Sequence, residues 1–161
     1  METLDDFDIA ILRFAQTNNY MPQREIGEKI GLSTPAVQRR IKRLTKLGFI
    51  SSNVAIVDRE KLGHYVTLLV EVSLESEKAN DIDQAKFLFR ARPEVQQCYY
   101  VTGDTDFILI VVVPSMHHYE LLTRELFFGN PNVKHFKTFV AMDLVKVGTT
   151  ISLDKHGTTS F

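Results

Sequence analysis

The chain has 161 residues, 44% of them apolar and 24% charged, which is enough to build one ordinary domain or two small ones and excludes a disordered chain. Its formal net charge of −1 and pI near 6.5 give no bulk sign of a nucleic-acid binder. The single cysteine, Cys98, excludes an intrachain disulfide and a Cys-rich zinc site, and no metal is expected.

The average charge conceals an asymmetry. Residues 1–63 carry ten Lys and Arg against eight Asp and Glu, whereas residues 64–161 carry nine against twelve. The N-terminus has neither a basic stretch nor an apolar one behind it, and no apolar run approaches ~18 residues. A reducing, cytoplasmic location without a membrane span is therefore the expectation.

In chain order, Leu4, Phe7, Ile11, Phe14 and Ala15 recur at helical spacing and predict a first helix ending near Thr17. Its early Asp5, Asp6 and Asp8 suit the positive end of the helix dipole. Pro22 interrupts, and Gln23–Ile30 reads as a second helix stopped by Gly31. Ser33, Thr34 and Pro35 then open a third, in which Val37, Ile41 and Leu44 point inward. The alternating run from Phe49 to Val57 predicts a β-ribbon, the place of a wing, and Asp58–Gly63 a linker.

Beyond the linker, Val66–Leu74 alternates as a strand with one buried face. A helix over Asp81–Arg92, a hairpin of Val95–Thr102 and Asp106–Val113 around Gly103–Thr105, a helix to Phe128 and a strand Val133–Met142 follow. The second half is thus βαββαβ, a ferredoxin-like split unit with both helices on one sheet face. The other face would be left open, and pairing with a second copy is the expected way to cover it. The expected organisation is α+β: a winged helix-turn-helix over 1–52, a linking segment over 53–63, a ferredoxin-like domain over 64–153 and a flexible tail over 154–161.

The third helix carries Arg39, Arg40, Lys42, Arg43 and Lys46 with no acidic residue between them. In a helix-turn-helix that face enters the major groove of double-stranded DNA. Ser33, Thr34 and Pro35 would present the first-turn amides to a phosphate. Gln38 and Arg39 lie early enough to reach base edges, and Arg40, Lys42, Arg43 and Lys46 are candidate phosphate contacts. A lone basic amphipathic helix is more often a solvated surface; the trihelical context and the wing reverse that preference. His117 and His118 point about 100° apart on a helix, which favours surface histidines over a metal pair. Cys98 has no base partner in sequence and reads as a small buried hydrophobe.

These stretches together resemble the Lrp/AsnC family of regulators from Leu4 to about Leu153. The matching residues are Leu4-Asp5-Asp6-Phe7-Asp8 with Ile11-Leu12, Gly31-Leu32-Ser33 with Arg40 and Leu44, Leu47-Gly48-Phe49-Ile50, and Val101-Thr102-Gly103-Asp104-Thr105-Asp106-Phe107. Asn18–Pro22 and Ser52-Asn53 depart from the family pattern. The resemblance implies that the second domain is the family's regulator-of-amino-acid-metabolism (RAM) domain, and that the chain is a sequence-specific transcriptional regulator without a cofactor or enzyme activity. It also implies dimers, often assembled further into tetramers or octamers, a pseudo-palindromic operator, and an amino acid or related effector bound between dimers.

Two carboxylates and the turn amides at Gly103, Asp104 and Asp106 could hold the ammonium and carboxylate of such an effector. Without the resemblance, an ordinary hairpin turn would explain the same residues. Tyr100, Thr102 and Thr138 are further candidates. Two other readings remain open: a siroheme-decarboxylase-like enzyme on the same fold, using His117, His118, Arg90, Arg92 and Arg124, and a ligand-binding adaptor that does not bind DNA.

Overall fold

The computed structural model describes residues 3–63 and 65–153. They form two units: the chain up to Ile56 together with the segment from Lys146, and Val57–Val145.

The first unit is built on three helices. α1 spans Asp6–Thr17 and starts in a reciprocal capping box, with the Asp8 amide donating to Asp5 Oδ1 at 2.8 Å and the Asp5 amide to Asp8 Oδ2 at 3.2 Å. α2 spans Gln23–Ile30 and ends at Gly31, whose φ of 75° is a left-handed cap that glycine adopts without steric cost. α3 spans Thr34–Lys46. Ile11, Leu12, Ile26, Val37 and Leu44 are the buried centre, as the helical spacing predicts.

Two features of this unit differ from expectation. The ribbon over Phe49–Val57 does not form: after Gly48, the Phe49 and Ile50 amides return to the Leu44 carbonyl, and Ser51–Val57 runs on without strand pairing. Alternation predicts an extended backbone, but a ribbon also needs a partner strand, and among the described residues none lies beside this one; Ile56 is 93% exposed. The C-terminal segment also joins the helices, although the expected second domain ran to residue 153. Leu153 packs on the helical core, Arg13 Nη2 donates to its carbonyl at 2.6 Å, and the Gln16 carboxamide brackets Ile151 with bonds of 2.9 and 3.3 Å. Polar residues on α1 supply those anchors, and no hydrophobic periodicity announces them. The expected tail over 154–161 lies outside the described residues.

The second unit begins with one helical turn, α4 at Arg59–Leu62, in the expected linker. Then follow β1 Val66–Leu74, α5 Ala79–Arg90, β2 Val95–Tyr100, β3 Phe107–Val113, α6 Met116–Thr123 and β4 Val133–Val140. All strand pairs are antiparallel in the order β2-β3-β1-β4, the ferredoxin-like arrangement. The expected single helix to Phe128 is α6 followed by a π-helical turn, Arg124–Phe128, which buries Phe127 and leaves Phe128 exposed.

Leu68, Val70, Val72 and Leu74 of β1 and alternate residues of β3 face α5 and α6, so the core sits between sheet and helices. Phe89 is fully buried, with ring centroids of Phe107 and Phe127 at 5.3 and 6.2 Å in edge-to-face contact. Leu69, Tyr99 and Phe139 remain exposed; they alternate with the core-facing residues of their strands and lie on the open face.

Candidate functional site

α3 separates its faces by packing. Val37 and Leu44 are fully buried, which turns Gln38, Arg39, Lys42 and Lys46 to the surface. These four side chains make no hydrogen bond or ion pair with any described residue. Ser33 caps the helix, its Oγ accepting the Ala36 amide at 3.4 Å, and Pro35 occupies the first turn, where a missing amide hydrogen costs nothing. Ser33, Thr34 and Pro35 are all exposed beside the free first-turn amides.

The turn ahead of α3 is set by close approach. An added Cβ on Gly27 would stand 2.3 Å from the Leu32 carbonyl oxygen, so only glycine lets α2 and the start of α3 meet this tightly. The Leu32 amide returns to the Gly27 carbonyl at 2.9 Å and fixes that approach.

Arg40 and Arg43 do a different job from the one their charge suggests. Arg40 Nη1 lies 2.8 Å from both Asp8 Oδ1 and Asp5 Oδ2, and Arg43 Nη2 lies 2.6 Å from Asp8 Oδ2. Asp8 is 1% exposed, and its carboxylate is shared between the two guanidinium groups that project from α3. The basic row thus divides: Arg39, Lys42 and Lys46 are unengaged, whereas Arg40 and Arg43 tie α3 to the start of α1. Burial pushes the Asp5 carboxyl up, but the Asp8 amide and the Arg40 guanidinium outweigh it and hold it below its ordinary value. Sequence reasoning gave Asp8 to the helix dipole. Its position four residues after Leu4 and three before Ile11, within the apolar stripe, was the signal for a buried charge.

At the hairpin turn, Gly103 has φ 125°, and the Asp104 side chain is exposed and unpartnered. Asp106 is engaged: its Oδ2 accepts the Leu74 amide at 2.7 Å, its own amide donates to the Val72 carbonyl, and Thr105 Oγ1 also donates to that carbonyl. Asp106 therefore pins the hairpin to the end of β1. Tyr100 lines a cavity of about 440 Å³ with Lys86, Phe89, Arg90, Cys98 and Phe107, and the Lys86 ammonium sits 5.1 Å over its ring. Thr102 is exposed beside the turn.

Thr138 is not brought to this cluster. It lies on β4, separated from β3 by β1, and its hydroxyl bonds Tyr119 OH on α6 at 2.5 Å. The residue on β4 that does reach toward the turn is His135, whose Nε2 is 3.3 Å from Ser73 Oγ, itself 3.5 Å from the Asp104 carbonyl.

The remaining singled-out residues are dispersed. His118 Nδ1 is 2.8 Å from Ser115 Oγ, and His117 faces Glu120 at 3.8 Å. Arg92 pairs with Glu125 and Arg124 with Glu120. The Cys98 thiol is pushed up by burial, against the pull of Arg90, so it is held as the unreactive thiol. Among the described residues no cluster of His, Cys, Asp and Glu could hold a metal ion, and no helix is long and apolar enough to cross a membrane.

Comparison with known proteins also finds two domains, the second running on past Val145. Residues 4–51 match the winged helix-turn-helix DNA-binding family, and residues 67–151 match the Lrp/AsnC ligand binding domain. An HTH-type transcriptional regulator of Sinorhizobium fredii is 46% identical, over 94% of this chain and 89% of its own. The leucine-responsive regulatory protein of Haemophilus influenzae is 32% identical, over 90% and 87%. Among solved structures, an AsnC family regulator from Agrobacterium tumefaciens superposes with a TM-score of 0.86 at 28% identity, covering 93% of this chain and 97% of its own. A regulator of Neisseria meningitidis solved as a complex with L-Met superposes equally well, at 0.86 and 25% identity over 96% and 99%. These relatives carry the names of transcriptional regulators and not of enzymes. The chain belongs to the Lrp/AsnC family of transcriptional regulators.

Proposed function

We propose that the chain reads a specific DNA sequence with α3 and adjusts that binding to an amino acid held at the Tyr100–Asp104 end of the hairpin. The observation that carries the DNA reading is the exposed, unengaged set Gln38, Arg39, Lys42 and Lys46 on a helix whose other face is anchored in the core. Gln38 and Arg39 have the chemistry to read adenine and guanine, and Lys42 and Lys46 meet phosphates. The open sheet face, with Leu69, Tyr99 and Phe139, is the surface for pairing two copies. Two α3 helices would then address half-sites about 34 Å apart or a multiple of it.

The test is a salt titration of binding to DNA upstream of the chain's own gene. Lys42→Ala is expected to lower the slope of log K against log salt by about 1, with the sequence preference kept. Arg39→Ala is expected to cost about 1–3 kcal/mol on the specific site and far less on random DNA. Absence of any salt-dependent DNA affinity in the parent chain would instead favour the adaptor that does not bind DNA.

For the effector, the L-Met complex of the similar Neisseria regulator supports an amino acid. Asp104 supplies the one unengaged carboxylate of the turn for the ammonium, with Thr102 and the Gly103 amide beside it. Asp104→Asn is expected to weaken the response of DNA binding to the active amino acid by roughly tenfold, the scale of one charge-assisted bond. An unchanged response would move the site away from the turn.

A further inference from the structure

A second cavity, of about 470 Å³, opens where α5 has ended and α6 begins, at the far end of the sheet from the Gly103–Asp106 turn. β3 runs between the two places, from Phe107 beside the turn to Val113 in the cavity wall, a rise of roughly 20 Å. Aliphatic side chains, Val113, Pro114, Leu121 and Leu122 among them, share the wall with Arg92, His118 and Glu125.

Into this setting β2 delivers Glu94, one residue before the strand starts. Its backbone is fixed, the Val112 amide donating to the Glu94 carbonyl at 2.8 Å. Its side chain is not: Glu94 Oε2 is buried with no hydrogen-bond partner, and the carboxylate forms no ion pair with any described residue. A buried carboxylate oxygen without a donor is costly, so such groups are nearly always met by a cation or a donor. The nitrogen groups on the same wall are turned to other partners. Arg92 is held by Glu125 at 2.6 Å, and His118 is tied through Nδ1 to Ser115. The cavity therefore offers an aliphatic side and, beside it, one carboxylate oxygen without a donor.

We propose that this cavity is a binding site for a small aliphatic ammonium ion, whose N–H groups donate to Glu94 Oε2 while its carbon chain lies along Leu121 and Leu122. The site is separate from the effector turn. It also lies beside the unit's first strand, since Val66, the first residue of β1, pairs with Val113.

Saturation-transfer NMR on the full chain with n-butylammonium as probe tests the site, with n-butanol as the uncharged match. Transfer to the butylammonium methyl group is expected, with affinity at least tenfold above that of the alcohol. Glu94→Gln, which keeps size and removes charge, is expected to reduce it at least tenfold. Leu121→Trp, at a position already 47% exposed and so safe for folding, is expected to block it by filling the cavity. Absence of transfer, equal binding of amine and alcohol, or retention of affinity in Glu94→Gln would overturn the proposal.

Discussion

Replacing Phe89 with alanine is expected to destabilise the sheet-bearing unit by about 3–5 kcal/mol, the usual cost of emptying a fully buried aromatic position. Phe89 is 0% exposed and is the one ring in contact with both Phe107 on β3 and Phe127 in the π-helical turn. Its removal breaks two edge-to-face pairs and leaves a cavity that the rigid sheet cannot close. The loss also falls next to the Tyr100 cavity, which Phe89 lines. Four of the five tyrosines lie in this unit, so urea unfolding followed by tyrosine fluorescence reports on it. A change below about 1 kcal/mol would mean that Phe89 is not the keystone of the packing.

Asp8→Ala is expected to cost the helical unit about 3 kcal/mol. Removing one side of a buried ion pair generally costs ~3–5 kcal/mol, and the lower end applies because Arg40 and Arg43 keep 24% and 42% exposure and can turn to water. The variant removes the link from α3 to α1 and one half of the α1 capping box together. Hydrogen-exchange protection of the α1 amides should fall roughly 100-fold. Freed of Asp8, the two arginines add positive charge to the DNA face, so affinity for random DNA should rise while discrimination falls. A double-mutant cycle with Arg40→Ala should show a coupling above about 1 kcal/mol, and additivity would remove the linkage. The same cluster sets an acid limit. The folded Asp5 carboxyl titrates below its unfolded value of 3.8, so its contribution is complete above that value and is lost as pH falls through the folded one.

The contrast between these two residues explains what was legible in the sequence. Phe89 announced itself by period: with Ile82, Ala85 and Leu88 it marks one helical face, and the structure buries all of them but Leu88, which is half-buried. The succession of strands and helices and the three-helix layout followed from the same kind of signal, because burial of apolar side chains is what periodicity records. Asp8 was placed in α1 correctly but its work was not, because an ion pair across 32 residues leaves no spacing to read. Arg40 and Arg39 look alike in sequence, and only the packing of Val37 and Leu44 decides which one faces a carboxylate. At the hairpin, sequence marked Gly103 and both carboxylates, but could not tell Asp104, left open, from Asp106, spent on the Leu74 amide. Thr138 lies apart from the turn within one chain because strand order, and not chain order, determines which residues share an end of a sheet.

The return of Ile151 and Leu153 to α1 makes the DNA-reading unit discontinuous in the gene. Residues 57–145 are, in effect, inserted between its parts, and the two units are joined by two chain crossings instead of one. A chimera that exchanges only the first 56 residues between family members would therefore separate a helix bundle from its own final strap. The natural unit of exchange is the N-terminal segment together with its matching C-terminal segment; Arg13 and Gln16 hold that strap through the main chain of Leu153 and Ile151, whatever side chains it carries.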